Sequence, residues 1–265
     1  MHGCKQLMLK ESDTMPLFSI ITVCYNAPST IERTALSVAS QSFNDYEHLI
    51  IDGKSKDNTL DLLNSAIGNE KRIVHSERDS GIYDAMNKSL AHANGKYLIF
   101  LNAGDKFHTQ NSLKQIADSI NNTNPAIVYG QTILVGNNGE YIAPRHLTAP
   151  PTLETKDFAK GMLVCHQAFI VKKDIAPEYN LKYKFSADYD WCIRCLMLSD
   201  NNNTYIDDVL IDYLSEGITT ANRRRSLIER FKIMSHYFGF FPTLARHFGF
   251  ISRFMKHQKI IKQAN

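Results

Sequence analysis

No stretch of the 265 residues approaches the roughly 18–20 consecutive apolar residues that a membrane-spanning helix needs. Near the start, charges interrupt MHGCKQLMLKESDTMP before an apolar core of signal-peptide length can form. Residues 1–16 are therefore expected to be a short, mobile lead-in. The phosphate-cradling signatures are missing too: there is no GxxxxGK[ST], and no GxGxxG follows the first strand-like run. That excludes a P-loop and a glycine-cradled pyrophosphate. Cysteine occurs five times (Cys4, Cys24, Cys165, Cys192, Cys195), an odd and scattered count that points to reduced thiols and a cytosolic location. Cys192 and Cys195 form a CxxC, but a zinc site wants a second pair, and the sequence has none. Tryptophan appears once, at Trp191.

What is present is ordinary for a globular chain, 43% apolar and 22% charged, with length for one large domain or two closely packed ones. The net charge of +3 hides an asymmetry. Ten of the 30 Lys/Arg but only one of the 27 Asp/Glu, Glu229, fall in residues 223–265, so the chain before them is net −6. The chain changes character at about residue 220.

Three apolar runs end in polar tips. Residues 19–24 break at Tyr25-Asn26-Ala27-Pro28, residues 48–51 at Asp52-Gly53, and residues 97–101 at Asn102-Ala103-Gly104-Asp105. Continuous apolar runs bounded by turn residues are the pattern of buried parallel strands. Helical patterns lie between them: one from Ser29 to about Ser40, one capped by Asp57 and stopped at Gly68, and one from Ile82 stopped at Gly95. Strand–helix alternation predicts an open α/β sheet with right-handed crossovers. Ligands bind beyond the carboxyl ends of such strands, so Asn26, Asp52 and Asp105 are expected at one edge. An acidic rim would accept a diphosphate through Mg²⁺ or Mn²⁺, with Asp105 as a single-carboxylate anchor. Asp52 suits a base or ribose.

FSIITVCYN, IIDGKSKDNT, SERDSGIYDAMNKSLAHANGKYLIFLNAGD, VCHQAFIV and FSADYDWCIR resemble family 2 glycosyltransferases over residues 17–222. The likeness is greatest to bacterial members that build O-antigen or other surface polysaccharides. The resemblance implies a GT-A fold, a Rossmann-like open mixed sheet flanked by helices, with residues 17–125 as the nucleotide half and 126–222 as the acceptor half. It also implies a UDP-sugar donor, Mn²⁺ or Mg²⁺, and inverting transfer of a hexose. Carried over, Asp52 contacts uracil, Thr22 to Asn26 (with Cys24 between) flank the base, and Asp79 lies along the nucleotide. Asn102–Asp105 takes the place of the metal-binding DxD but reads NAGD, leaving Asp105 as the one carboxylate.

In the acceptor half, His166 fits a satisfied core histidine, while the resemblance gives His166-Gln167 a substrate-side role. Asp188 and Asp190, at i and i+2 before an apolar helix, point in different directions; both also fit helix-start acids. The resemblance makes Asp188 the general base, with Ala187 where the family has glutamate. Trp191 could stack on a sugar or pack. LSEGITT, residues 214–220, matches the family's glycine-serine loop with Glu216-Gly217 in place of Gly-Gly. Residues 223–265 combine Arg223-Arg224-Arg225 with Leu227, Phe231, Met234 and Phe238 at helical spacing, a basic amphipathic segment. It reads as an element for the inner face of the cytoplasmic membrane, where the resemblance implies a polyprenyl-diphosphate-linked saccharide acceptor. The plainer reading is a helix packed on the domain with a solvated basic face. No nucleic-acid motif is present. A catalytically silent nucleotide-sugar binder is the reading from another class, given NAGD and Ala187.

Overall fold

The structure, a computed structural model, describes residues 15–66, 68, 70–215 and 222–247. The expectations for residues 1–14, for the Glu216-Gly217 loop and for residues 248–265 lie outside that range.

In chain order the strands are β1 (Phe18–Cys24), β2 (Tyr46–Asp52), β3 (Arg72–Ser76), β4 (Tyr97–Phe100), β5 (Lys106–Phe107), β6 (Ile127–Val135), β7 (Tyr141–Pro144), β8 (Phe169–Lys172) and β9 (Asn203–Leu214). The helices are α1 (Ile31–Ala39), α2 (Thr59–Ser65), α3 (Ile82–His92), α4 (Ser112–Thr123), α5 (Ala187–Leu198) and α6 (Arg223–Phe238). One mixed sheet runs β3-β2-β1-β4-β8-β6-β9-β5, with β7 hydrogen-bonded to β6. β3, β2, β1 and β4 are parallel; β8 then pairs antiparallel with both β4 and β6. The nucleotide and acceptor halves expected from the sequence thus share one sheet.

Every residue of β1, β2 and β4 is buried. Alternate side chains serve opposite faces. Ile21, Leu49 and Phe100 join the core beneath α3 and α5, while Ile20, Tyr97 and Ile99 pack with Leu113 and Ile116 of α4. Helices on both faces are why these strands read as unbroken apolar runs rather than alternating ones.

α5 is buried along most of its length, and Trp191 is fully enclosed. Its ring stacks on Tyr179 at 5.0 Å and 8°, and its Nε1 donates to Pro177 O at 2.6 Å. Trp191 is a core residue, so its sugar-stacking role is withdrawn: the large apolar ring found its indole N–H partner inside the core.

α6 packs on the domain. Ile233 and Met234 enter the core, and Glu229 accepts from the backbone N–H groups of Lys184, Phe185 and Ser186 at 2.9, 2.8 and 3.0 Å. The Tyr237 hydroxyl donates to Asp190 at 2.9 Å. Near its start Leu227 and Ile228 are more than half exposed.

Candidate functional site

Register brings the strand tips together. Cys24 pairs with Asp52, and Asp52 with Ser76; past β4, Leu101 N donates to Ile21 O at 2.8 Å. The chain then turns through Asn102–Asp105, closed by Asp105 N donating to Asn102 O at 2.9 Å. Gly104 sits at φ +108°, and a Cβ there would meet Leu214 Cδ2 at 2.5 Å, so only glycine lets this turn press against β9. Thr34 of α1 accepts from Gly104 N at 2.9 Å and donates to Asp105 O at 2.7 Å, and Arg33 donates to Gly104 O.

Asp105 is delivered 3% exposed, with Oδ1 accepting from Leu214 N at 2.9 Å and Oδ2 from Gln167 Nε2 at 2.8 Å. Burial pushes its carboxyl up to about 7 despite those two donors. Beside it, Asn102 Oδ1 is buried without a hydrogen-bond partner among the described residues.

A cleft of about 580 Å³ opens over these tips, lined by Cys24, Asn26, Asp79, Asn102, Asp105 and Gln167, with Tyr25 at its rim. Five of the expected donor-side residues therefore converge. Thr22 and Asp52 do not face the cleft. Thr22 is buried, its hydroxyl 3.0 Å from His48 Nε2. Asp52 has no exposed surface and accepts from Ser55 N at 3.1 Å, Ser55 Oγ at 2.5 Å and Ser76 Oγ at 2.6 Å. A short polar side chain at a strand end turns back onto its own loop, so in this structure Asp52 braces the loop. That loop in turn holds Asn26, whose N–H donates to Ser55 Oγ at 2.8 Å and whose Oδ1 accepts from Lys56 N at 2.9 Å. Behind the rim, a Cβ on Gly53 would meet Asp79 Oδ2 at 2.5 Å. Burial raises the Asp79 carboxyl above its ordinary value.

A second chamber of about 140 Å³ shares Ile82, Asn102, Gln167 and Tyr213 with the cleft. Asp188, at the start of α5, lines it and accepts from the Tyr83 hydroxyl at 3.0 Å. Asp190 instead faces Arg194 and Tyr237, at 2.8 and 2.9 Å, so the i, i+2 spacing separates the two acids as the sequence predicts. His166 also lines the chamber. It is buried, its Nε2 lies 2.6 Å from the Tyr179 hydroxyl, and its ring stacks on Phe100. Burial lowers its pKa to about 4, so the imidazole is neutral. Gln167 is a bracket for Asp105, with its Oε1 accepting from Cys165 Sγ at 2.9 Å. Tyr213, Arg145 and Arg230 complete the wall. None was singled out from the sequence: Tyr213 lies on a strand that carries no unbroken apolar run, and Arg145 in a Gly/Pro-rich stretch.

Residues 19–179 match the family described as Glycosyl transferase family 2. The chain belongs to that family. A "PGL/p-HBAD biosynthesis glycosyltransferase" of Mycobacterium bovis (strain BCG / Pasteur 1173P2) is 33% identical over 213 residues, covering 76% of this chain and 78% of the relative. An uncharacterized glycosyltransferase of Methanocaldococcus jannaschii is 26% identical, covering 87% and 80%. Among solved structures, S. aureus TarS 1–349 in complex with UDP-GlcNAc aligns with a TM-score of 0.66 at 17% identity, covering 88% of this chain and 73% of that one. Against the longer TarS chain the match spans 39% of its length. A Pyrobaculum calidifontis mannosyltransferase in complex with GDP-Man and Mn²⁺ aligns at 0.54 and 15% identity, covering 83% and 64%. The architecture is the GT-A fold of glycosyltransferases.

For a family 2 enzyme, the fit of a divalent cation turns on few oxygens. Among the described residues no cluster of three or more His, Cys, Asp or Glu could hold a metal. Asp105 and the unpartnered Asn102 Oδ1 nevertheless offer hard oxygen donors at the cleft wall, which suits a cation whose other ligands are substrate phosphates and water. A positive charge there would also favour ionisation of Asp105.

Proposed function

We propose that this family 2 enzyme moves a hexose from a UDP-sugar to a hydroxyl of a lipid-diphosphate-linked saccharide with inversion. Glucose or galactose would be donated to GlcNAc-diphosphate-undecaprenyl in O-antigen or surface-polysaccharide synthesis, forming a β-linkage. One observation carries the reading: Asp188, held by the Tyr83 hydroxyl, lines a chamber that shares Ile82, Asn102, Gln167 and Tyr213 with the cleft bearing Asp105.

The cleft takes the nucleotide sugar, with Tyr25 and Asp79 along the nucleotide and the sugar directed toward the shared wall. Asp188 accepts the proton of the attacking hydroxyl, because a sugar hydroxyl is a poor nucleophile until a carboxylate relieves it of that proton. Tyr83 fixes the carboxylate's direction. His166, buried and neutral, shapes the chamber and does not compete for the proton. Asp105 and Asn102 would hold Mn²⁺ or Mg²⁺, which when bound stabilises charge on the departing diphosphate. Leu227, Ile228, Phe240 and Phe241, all more than half exposed, with Arg224, Arg225, Lys232 and Arg246 exposed near them in sequence, form the surface that would rest on an anionic inner-membrane face.

The test is a transfer assay with Mn²⁺, a GlcNAc-diphosphate-lipid and a panel of UDP-sugars, read by mass spectrometry. Asp188→Asn is expected to lower kcat by about 10²–10⁴-fold while UDP still binds, and Asp105→Ala to abolish the Mn²⁺-dependent gain in UDP affinity. Transfer untouched by both substitutions would sink the mechanism. UDP-sugar binding without turnover on any acceptor, native lipid extract included, would leave a silent binder.

A further inference from the structure

The chamber beside Asp188 carries more positive charge than its walls neutralise. Arg230 reaches it from α6 and Arg145 from the segment after β7. Arg145 is pinned by carbonyls, its Nη1 donating to Leu147 O and Leu163 O at 3.1 and 2.9 Å and its Nη2 to Met162 O at 2.6 Å. Carbonyls orient a guanidinium without cancelling its charge. Arg230 is less engaged. Its Nε is buried with no hydrogen-bond partner among the described residues, and its guanidinium lies 5.9 Å from the centre of the Tyr189 ring. The chamber's histidine is neutral, and Asp188 is its one carboxylate. Two guanidinium cations, of which Arg145 is pinned, therefore line the chamber with one carboxylate, and a partly buried guanidinium without a counter-charge is costly.

We propose that this chamber is an anion subsite for the acceptor, in which Arg230, backed by Arg145, binds a phosphoryl group one sugar ring away from the hydroxyl presented to Asp188. The inference rests on the transferase reading above and deepens it by assigning Arg230 and Arg145 as the residues that recognise the acceptor's phosphoryl group. The guanidinium fork matches phosphate oxygens in two-point contact. The donor's own diphosphate has its place across the shared wall, at Asn102 and Asp105 in the larger cleft.

The test is calorimetry on the full chain, saturated with UDP and Mn²⁺. The probes are GlcNAc-diphosphate-citronellol, the uncharged citronellyl glycoside of the same sugar, and citronellyl glucuronide. Wild-type protein should bind the diphosphate at least tenfold more tightly than the uncharged glycoside. Arg230→Gln should erase most of that difference, Arg230→Lys should retain part of it, and UDP affinity should hold in both. A melting curve for each variant shows that it is folded. Equal affinity for charged and uncharged probes, no binding of either, or an unchanged preference in Arg230→Gln would each overturn the subsite. Weaker UDP binding in Arg230→Gln would do so as well, by moving the residue to the donor side. Preference for the glucuronide would reject the phosphoryl group in favour of a carboxylate. Absence of turnover with every UDP-sugar would count against the transferase reading alone, since the binding difference is measured without it.

Discussion

Two buried histidines, His48 on β2 and His166 in the turn before β8, show how single residues set the molecule's response to acid. His48, hydrogen-bonded to Thr22, and His166, held by Tyr179, are both enclosed, and burial lowers their pKa values to about 3 and about 4 from an ordinary 6.5. An unfolded chain would protonate both near 6.5. The stability gained by keeping them neutral is thus complete above that pH and is lost as pH falls toward 4. Asp105, with its carboxyl raised to about 7, holds a proton in the folded state over the same range and offsets one of the two histidines, so urea unfolding between pH 6.5 and 4 should show stability falling by a net of about 1.4 kcal/mol per pH unit. His166→Gln should remove one proton from that slope. At this scale the sequence was legible where a residue type had one physical option. Asp105 stood out as a carboxylate at a strand tip and Asp188 through the family resemblance, and both line a cavity. It was illegible where a polar side chain could be satisfied locally. Nothing in the spacing around Asp52 tells that Ser55 and Ser76 consume its oxygens, or that Trp191 meets Pro177 rather than a sugar.

At the scale of elements, β1, β2 and β4 were readable because both of their faces are covered, which keeps apolar residues on successive positions and leaves only a few buried polar ones, such as Thr22 and His48, within the runs. β3 sits at the sheet edge and β9 carries three aspartates, so neither shows the same signature. α6 read as an amphipathic tail because the sequence shows its apolar spacing but not its partner. That partner is the turn before α5. Three backbone N–H groups converge on Glu229, and Ser226 Oγ lies 2.9 Å from Ser186 Oγ. Glu229→Ala leaves those donors unpaired and should cost about 2–3 kcal/mol, read as a fall in the urea midpoint. It should also lower kcat with little change in donor KM, because the loosened turn carries Asp188. Glu229→Gln, which keeps an acceptor, should recover most of the rate; a rise in donor KM instead would break the link between α6 and the base.

Across the whole molecule, one sheet joins the two halves, and the matched family region ends at residue 179, before α5, β9 and α6. The larger cleft is built largely within that region, the chamber beside Asp188 partly beyond it. The outer side of α6 and the segment over 240–247 leave Phe240 and Phe241 exposed at 52% and 79%. The full chain should sediment with vesicles containing phosphatidylglycerol and not with pure phosphatidylcholine. Phe240→Ser with Phe241→Ser should weaken that binding about tenfold or more, and added salt should weaken it further. Equal binding to both vesicle types would reject a charge-guided contact. The wall common to the two cavities carries one more consequence. Ile82, Asn102, Gln167 and Tyr213 each border both compartments, so a substitution that enlarges one of them to exclude a bulky donor also narrows the room left for the acceptor. On the proposed transferase reading, selectivity for the two substrates is therefore inherited as a pair, and an effort to re-engineer one choice at these four positions will find the other moving with it.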